Sequence, residues 1–587
     1  MRRDIAGDYE AYAANGVIGS AINGNTNGVK KAPLDGHTNG VNGAETNDST
    51  APVEELDILV IGAGFAGVYL LHKLRQKNFQ IKVVEAGSDL GGVWHWNRYP
   101  GARVDSQYPV YSYSLPEVYD DWEWSCHYPD WKEIQEYFHH VDRKLEIKKD
   151  TVFNTKVISA KFDEESNRWT VRCNTGKTLR VQYLIASTGF AAKRYIPDYE
   201  GIDSFKGVMH HSSFWPTENV DVEGKRVGVL GSGSTGIQIA QEWAKQIGNK
   251  GNLELFQRTP NLCCPMKQKF MTSEEQTKHK AHYPEWFDTR WKTYGGFLYQ
   301  YRDIKTFDQT PEERRALFEE LWEMGGFRFL MNNYMDMTRD LQANREAYNF
   351  WRDKTRRRIK DKTKADLLAP MEAPHPFGAK RLALEQTFYE EANRENFHIV
   401  DIKNNPIIRF EPEGVRTADG TLHKLDVLAI ATGFDSVTGG LKNISISGLN
   451  GELLTDKWAK GTWTYLGMAT ARFPNFFFTY GPQAPTAFSN GVACCELQAD
   501  WLVDLLCDMR DQGHQRINAK PNAEENWKVV VNELSALGLR HYTDSWYNGA
   551  NIPGKPREAL NYAGGLPKYK QTLKEEVEGG YSGFEIQ

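Results

Sequence analysis

The sequence predicts an α/β protein with two Rossmann-like dinucleotide-binding domains and a mainly helical insertion. Three observations point there. One GxGxxG loop follows an apolar strand at Gly62–Gly67, and a second follows another at Gly231–Gly236. Between residues 265 and 372, charged and aromatic residues alternate at helical spacing and glycine is scarce. With 587 residues, and about 150 per domain, three to four domains are expected.

Taken in order, residues 1–54 are rich in Gly, Asn, Ala and Thr and predict a flexible extension, with room for a short helix over Asp4–Ala14. Leu56–Gly62 is a short apolar run ending in glycine, the pattern of a buried parallel strand. Helical spacing over Val68–Arg75 and a second strand at Ile81–Glu85 complete the unit that opens a first domain, 55–195. Arg226–Gly231 and Leu253–Phe256 frame the same unit in a second domain, 196–264. The insertion, 265–372, ends in the basic run Arg356–Lys364. The chain is then expected to return to the second domain over 373–428 and to the first over 429–565, with Leu425–Gly433 marking re-entry to sheet. Residues 566–587 read as a mobile tail.

Composition narrows the function. Charged residues are 25% and the net charge is −6, so neither nucleic acid nor an anionic membrane is an electrostatic default. No apolar run approaches the ~18 residues of a membrane span, and the start lacks the apolar core of a signal peptide. Among seven cysteines, Cys263-Cys264 and Cys494-Cys495 are adjacent, which matches neither CxxC redox spacing nor metal-ligand spacing. A reducing compartment, the cytoplasm, and no metal are expected. Aromatics at 12% suit flat ligands.

In the first loop Gly62 makes the tight turn, Gly64 admits a pyrophosphate, and Gly67 lets the helix beginning near Phe65-Ala66 lie close to the strand. Glu85 ends the second strand 23 residues on, where a carboxylate accepts hydrogen bonds from ribose hydroxyls. Downstream, Gly91-Gly-Val93-Trp94-His95-Trp96-Asn-Arg-Tyr-Pro-Gly-Ala-Arg103-Val104-Asp105 joins aromatics to Gly/Pro bends. That combination suits a wall against an isoalloxazine ring, so this unit reads as an FAD site.

The second loop, Gly231-Ser232-Gly233-Ser234-Thr235-Gly236, is followed by a strand ending in Arg258-Thr259 instead of a carboxylate. A guanidinium there holds a 2′-phosphate, which a carboxylate would repel. NADPH is therefore expected over NADH.

Between the loops, Phe205-Lys-Gly207-Val-Met-His-His211-Ser-Ser-Phe-Trp215-Pro216 reads FxGxxxHxxxWP. With the Gly92–Arg103 segment, Phe256–Pro260, Gly378–Arg381, Ala431–Gly433, Gly481-Pro482 and Trp546–Arg557, it resembles the type I Baeyer–Villiger monooxygenases from about residue 56 to 560. Trp215 separates it from the flavin-containing monooxygenases, which carry Tyr or Phe there. By itself His211 is an ordinary loop histidine for which packing is the default, and the resemblance agrees, making it a linker residue.

The resemblance implies an enzyme in which NADPH reduces FAD, dioxygen adds to the reduced flavin, and one oxygen atom enters beside the carbonyl of a small-molecule ketone, cyclic or polycyclic, to give an ester or lactone. It implies catalytic roles for Arg381 over the flavin and Asp105 as its partner. It adds Ser106, Tyr111 and Val157 to the FAD site. To the NADP site it adds Arg103, Val104, Asp105, Gln238, Lys380 beside Arg258, Arg381 itself, and Trp546 from a closing loop. His95 stands where a Tyr is frequent and Val104 where a Cys is, departures that bear on the substrate-side wall. The competing readings are an N- or S-oxygenating flavin monooxygenase, a disulfide oxidoreductase (for which CxxC is missing), and a non-catalytic redox-sensing flavoprotein.

Overall fold

The computed structural model describes residues 53–587. The expected extension, with its candidate helix over Asp4–Ala14, lies outside them apart from Val53 and Glu54.

Strand Glu54–Ile61 is the centre of an eight-stranded sheet, flanked in parallel by Ile81–Val84 and Thr178–Ala186. Its side chains alternate between two cores: Ile58 and Val60 enter one, Leu59 and Ile61 the other. That double burial is why the run is apolar throughout. Thr178–Ala186 has two partners on its far side. Antiparallel Arg168–Cys173 covers its first half, and parallel Phe476–Phe478 covers Leu184–Ala186. Helix Phe65–Gln76 crosses from the central strand and packs against Gly491–Asp511, with Tyr69 donating to Asp500 at 3.0 Å.

A second sheet is wholly parallel, in the order Phe397–Asp401, Asn252–Gln257, Arg226–Leu230, Val427–Ile430, Val208–His211. Strand Val427–Ile430 lies entirely in this sheet, so the division expected after residue 428 cuts through one of its central strands. The apolar run announced a buried strand without saying which sheet would receive it.

Between the sheets' halves lie helices Ser273–Lys280, Tyr283–Thr289, Pro311–Met324, Leu341–Arg356 and Lys362–Leu368. Thr272 with Glu275 and Thr310 with Glu313 form reciprocal capping boxes, which fix where two of these helices start. Arg290, fully buried, ties this region to Glu496 of helix Gly491–Asp511, and Glu496 also accepts from the Ser114 N–H and hydroxyl at 2.8 Å each.

The C-terminal segment is no mobile tail. Leu566–Glu578 is a helix and Phe584–Ile586 pairs antiparallel with Ile517–Ala519. Leu566, Tyr569 and Leu573 are buried, and Tyr569 donates its hydroxyl to the Leu466 carbonyl at 2.6 Å. Charged residues between these apolar ones hid the helical stripe. No helix among the described residues is long and apolar enough to cross a membrane.

Candidate active site

The two glycine loops repeat one geometry. Gly62 and Gly231 sit at φ +105° and +110°, where a Cβ would lie 2.6 Å from the Ser187 carbonyl oxygen and 2.5 Å from that of Ala431, respectively. A Cβ on Gly67 or Gly236 would lie 1.9 Å from the carbonyl oxygen of the loop's first glycine, so helix and strand meet only because both positions lack one. The middle glycines differ from these. Gly64 has its nearest neighbour at 3.5 Å and Gly233 faces nothing within 4 Å. Helices Phe65–Gln76 and Ser234–Gln246 begin there with no side-chain cap, so their first N–H groups face open cradles. Both loops therefore fit a dinucleotide pyrophosphate.

Glu85 is buried at the end of its strand. Its carboxylate accepts from the Ala63 and Gly87 N–H groups at 2.7 Å each, which holds it against the first loop, while burial raises its pKa. Gly92 brings the aromatic segment up to this cradle, where a Cβ would be 2.9 Å from Gly64 Cα. Trp94 Nε1 donates to the Tyr111 hydroxyl at 3.0 Å, and the Phe65 ring packs edge-on to Tyr111 with centroids 5.3 Å apart. Val93 is exposed, Ser106 is buried, and Val157 lies in the core behind the sheet, two residues after Thr155, whose N–H donates to the Glu85 carbonyl at 2.9 Å.

His95 sits at the nucleotide end of this site: its Nε2 accepts from the Ser88 N–H at 3.3 Å. Burial and the neighbouring Arg98 push its pKa down to about 4, so the ring is neutral. It contributes no substrate-side wall there. Trp96 instead packs on Phe214 of the fingerprint segment, with centroids 5.5 Å apart.

The stretch Tyr99–Arg103 crosses to the second loop. Tyr99 donates to Gln238 Oε1 at 2.8 Å, and Gln238 Nε2 donates to the Arg103 carbonyl at 3.3 Å. Thr235 donates to the Tyr99 hydroxyl at 3.3 Å, and Ser232 to the Thr259 carbonyl at 2.7 Å. Arg103 donates to the Tyr128 carbonyl, and the Val104 N–H to that of Pro129.

Arg258 and Lys380 carry no ion pair among the described residues. They are near enough that burial and the Arg258 charge together depress the Lys380 pKa to about 8. Two cations held together with no carboxylate bridging them fit a phosphate.

Arg381 is fixed on three sides. Its Nε donates to Asp105 Oδ2 at 2.8 Å, Nη2 lies 2.7 Å from the same oxygen, and Nη1 donates to the Ala487 carbonyl at 3.2 Å. Its Cζ is 5.3 Å from the Phe327 ring centroid. Burial works against its charge, but the Asp105 carboxylate outweighs that and raises the pKa above the ordinary value. Tyr547 lies beside the guanidinium, with burial raising its own pKa and Arg381 opposing the shift.

Phe327, Ala487 and Tyr547 were not foreseen. The signal for Phe327 was Gly325-Gly326, with φ of +68° and +62°, a sharp break in a glycine-poor stretch that delivers the ring to Arg381.

The fingerprint residues are held by close packing and hydrogen bonds. Gly207 permits close approach, since a Cβ would be 2.7 Å from the Asp426 carbonyl oxygen. Phe205 packs in the second domain's core and Trp215 on Trp243, centroids 5.7 Å apart, with Pro216 half-buried beyond it. His211 Nδ1 accepts from the Ser213 N–H at 3.2 Å, which leaves Nε2 to donate to the Gly433 carbonyl at 3.2 Å. The next carbonyl, of Phe434, accepts from Asn551 at 2.9 Å. Asn551 belongs to the loop of Trp546, whose ring stacks on Phe190 with centroids 5.4 Å apart.

Residues 56–283 match a family described as pyridine nucleotide-disulphide oxidoreductase. The cyclopentanone 1,2-monooxygenase of Comamonas sp. is 43% identical over 533 residues, 91% of this chain and 96% of that one. A Baeyer-Villiger monooxygenase of Pseudooceanicola batsensis is 34% identical over 541 residues, 92% of this chain and 97% of that one. Among solved structures, the complex of OTEMO with FAD and NADP superposes with a TM-score of 0.87 at 36% identity, covering 91% of this chain and all of the other.

Proposed function

This chain belongs to the Baeyer–Villiger monooxygenases, and we propose that it inserts one oxygen atom of O2 beside the carbonyl of a cyclic ketone, with Arg381 as its catalytic cation. Its cofactors are FAD and NADPH. The disulfide chemistry in the matched family's description has no counterpart in this chain, whose seven cysteines are all unpaired.

Gly62, Gly64, Phe65, Ala66 and Gly67 would hold the FAD pyrophosphate and Glu85 its ribose, with His95 at the nucleotide end and Trp94, Ser106 and Tyr111 along the ring. Gly231–Gly236 would hold NADPH, and Arg258 and Lys380 its 2′-phosphate. Bound FAD, reduced by NADPH, supplies the activation of dioxygen. The protein's own contribution begins with a fixed positive charge. As the ketone carbonyl oxygen gains negative charge, the Arg381 guanidinium meets it with N–H groups already oriented, so no reorganisation is needed. Arginine cannot lose its proton to a basic oxygen species, whereas lysine can. Asp105 and the Ala487 carbonyl keep the planar group from turning away. Phe327 and Tyr547 limit water around it, which strengthens the charge's effect.

The observation that carries this reading is the three-point clamp on Arg381 by Asp105 and Ala487. The seven unpaired cysteines also support a cytoplasmic enzyme. The test is mass spectrometry of products from a panel of cyclic ketones with NADPH and isotopically labelled dioxygen. An ester or lactone bearing one labelled oxygen is the expected result. Labelled N-oxides or sulfoxides from amines and thioethers, with ketones untouched, would overturn it in favour of heteroatom oxygenation.

A further inference from the structure

One residue beyond Ala487, whose carbonyl helps to clamp Arg381, the Phe488 ring forms part of a cavity of about 120 Å3. Its lining is unusual in charge. Arg540 and Arg339 both contribute, and no lining residue is a carboxylate. Neither guanidinium makes an ion pair or a side-chain hydrogen bond among the described residues, and Arg540 Nε is buried without a hydrogen-bond partner. The Arg540 guanidinium is instead held over Phe488, its Cζ 3.9 Å from the ring centroid. Tyr301, Thr338 and Ser535 add hydroxyls around the same space.

A buried donor left unpaired is costly, and a ligand acceptor entering this cavity would satisfy it. The contrast with the larger cavity of about 710 Å3 is informative. That cavity is also rich in cations, but Lys267, Lys354 and Arg358 there are each paired, with Glu323, Glu319 and Glu385. The smaller cavity differs in having no carboxylate among its lining residues, whereas Glu385 lines the larger one.

We infer that this cavity is an anion subsite of the active site: it receives the carboxylate arm of an oxo-acid substrate while the ketone is held at Arg381. The inference rests on the ketone oxygenation proposed above. Size supports an arm and not a whole substrate, since the space is smaller than the roughly 150 Å3 cavity that accommodates one benzene ring. Phe488 is the wall shared with the catalytic side: its ring is 4.9 Å from that of Tyr547, which adjoins Arg381. A guanidinium with its faces against an aromatic ring keeps its N–H edge free for a bidentate carboxylate.

The test uses the FAD-loaded enzyme with NADP and two non-ketone probes, cyclopentaneacetate and its carboxamide, whose dissociation constants are measured by calorimetry. The carboxylate is expected to bind about 10- to 100-fold more tightly than the amide. Arg540→Gln should collapse that ratio towards unity, and Arg540→Lys should restore part of it. In turnover, the ratio of kcat/KM for oxocyclopentaneacetate to that for its carboxamide should fall with the same order of variants. Equal binding of carboxylate and amide to the unmodified enzyme would overturn the inference, even if Arg540→Gln failed to fold. So would a ratio unchanged by Arg540→Gln. Failure of any ketone to be oxygenated would strike the proposed reaction instead, and the binding ratio would still decide the subsite.

Discussion

Arg381 donates through Nε to Asp105 Oδ2 at 2.8 Å, joining positions 276 residues apart in the chain. The first belongs to the segment that follows the insertion, the second to the aromatic turn after the first glycine loop. The proposed catalytic cation is thus positioned by the part of the chain that also lines the proposed flavin cradle.

Replacing Arg381 with Ala should lower the rate of ester or lactone formation by about 100- to 1000-fold, the loss typical of one preorganised donor to a developing oxyanion. Arg381→Lys should rescue little, because a single ammonium cannot satisfy Asp105 and Ala487 and still face the substrate. Asp105→Asn should cost about 10-fold or more by loosening the clamp. Product formation followed by gas chromatography checks all three, and near-normal rates in Arg381→Ala would remove the arginine from the chemistry.

Arg258→Ala should reduce the preference for NADPH over NADH by about 10- to 150-fold, measured as the ratio of kcat/KM values. An unchanged ratio would place the 2′-phosphate elsewhere.

Lys380 makes the same site sensitive to pH. With its pKa pushed down to about 8, it is charged below that value and neutral above it. The kcat/KM for NADPH should therefore fall as pH rises through about 8, while that for NADH, which has no 2′-phosphate, should show no matching break. Because Arg258 contributes to the depression, Arg258→Ala should move the break upward. A break that stayed in place would mean that the two charges do not communicate.

Two glycines of the second loop should separate folding from binding. At Gly236 a Cβ would lie 1.9 Å from the Gly231 carbonyl oxygen, so Gly236→Ala should lower stability by about 1–3 kcal/mol or more, seen as a lower Tm. Gly233→Ala places its methyl in open space and should leave Tm nearly unchanged while raising KM for NADPH. Equal Tm losses would contradict the division of roles.

Tyr569→Phe should destabilise the protein by about 1–3 kcal/mol, because the Leu466 carbonyl and Gln498 Nε2 each lose the buried hydroxyl. Denaturant unfolding measures it. A neutral result would restore the view of the C-terminal segment as peripheral.

Much of this site was readable because its constraints are local. A GxGxxG loop has to place three glycines where a Cβ collides or a ligand approaches, and Glu85 and Arg258 occupy the same strand-end position in the two units. What could not be read was assembled over distance. Phe327, Ala487 and Tyr547 come to Arg381 from separate segments, and spacing carries no information about such meetings. The C-terminal helix failed for another reason. Its buried stripe of Leu566, Tyr569 and Leu573 is narrow and lies among lysines and glutamates, so average polarity concealed the period. His95 is expected in the FAD site with a bearing on the substrate-side wall, and sequence position alone does not show that its ring turns towards Ser88.

The pairing of Phe476–Phe478 with Leu184–Ala186 has a consequence for biosynthesis. The ribosome delivers that last strand about 290 residues after its neighbour. At roughly 5–20 residues per second, the nascent sheet waits some 15–60 s with an apolar edge uncovered, long enough to engage chaperones. Nascent chains halted before residue 476 should therefore be captured by them, and those released after it should not.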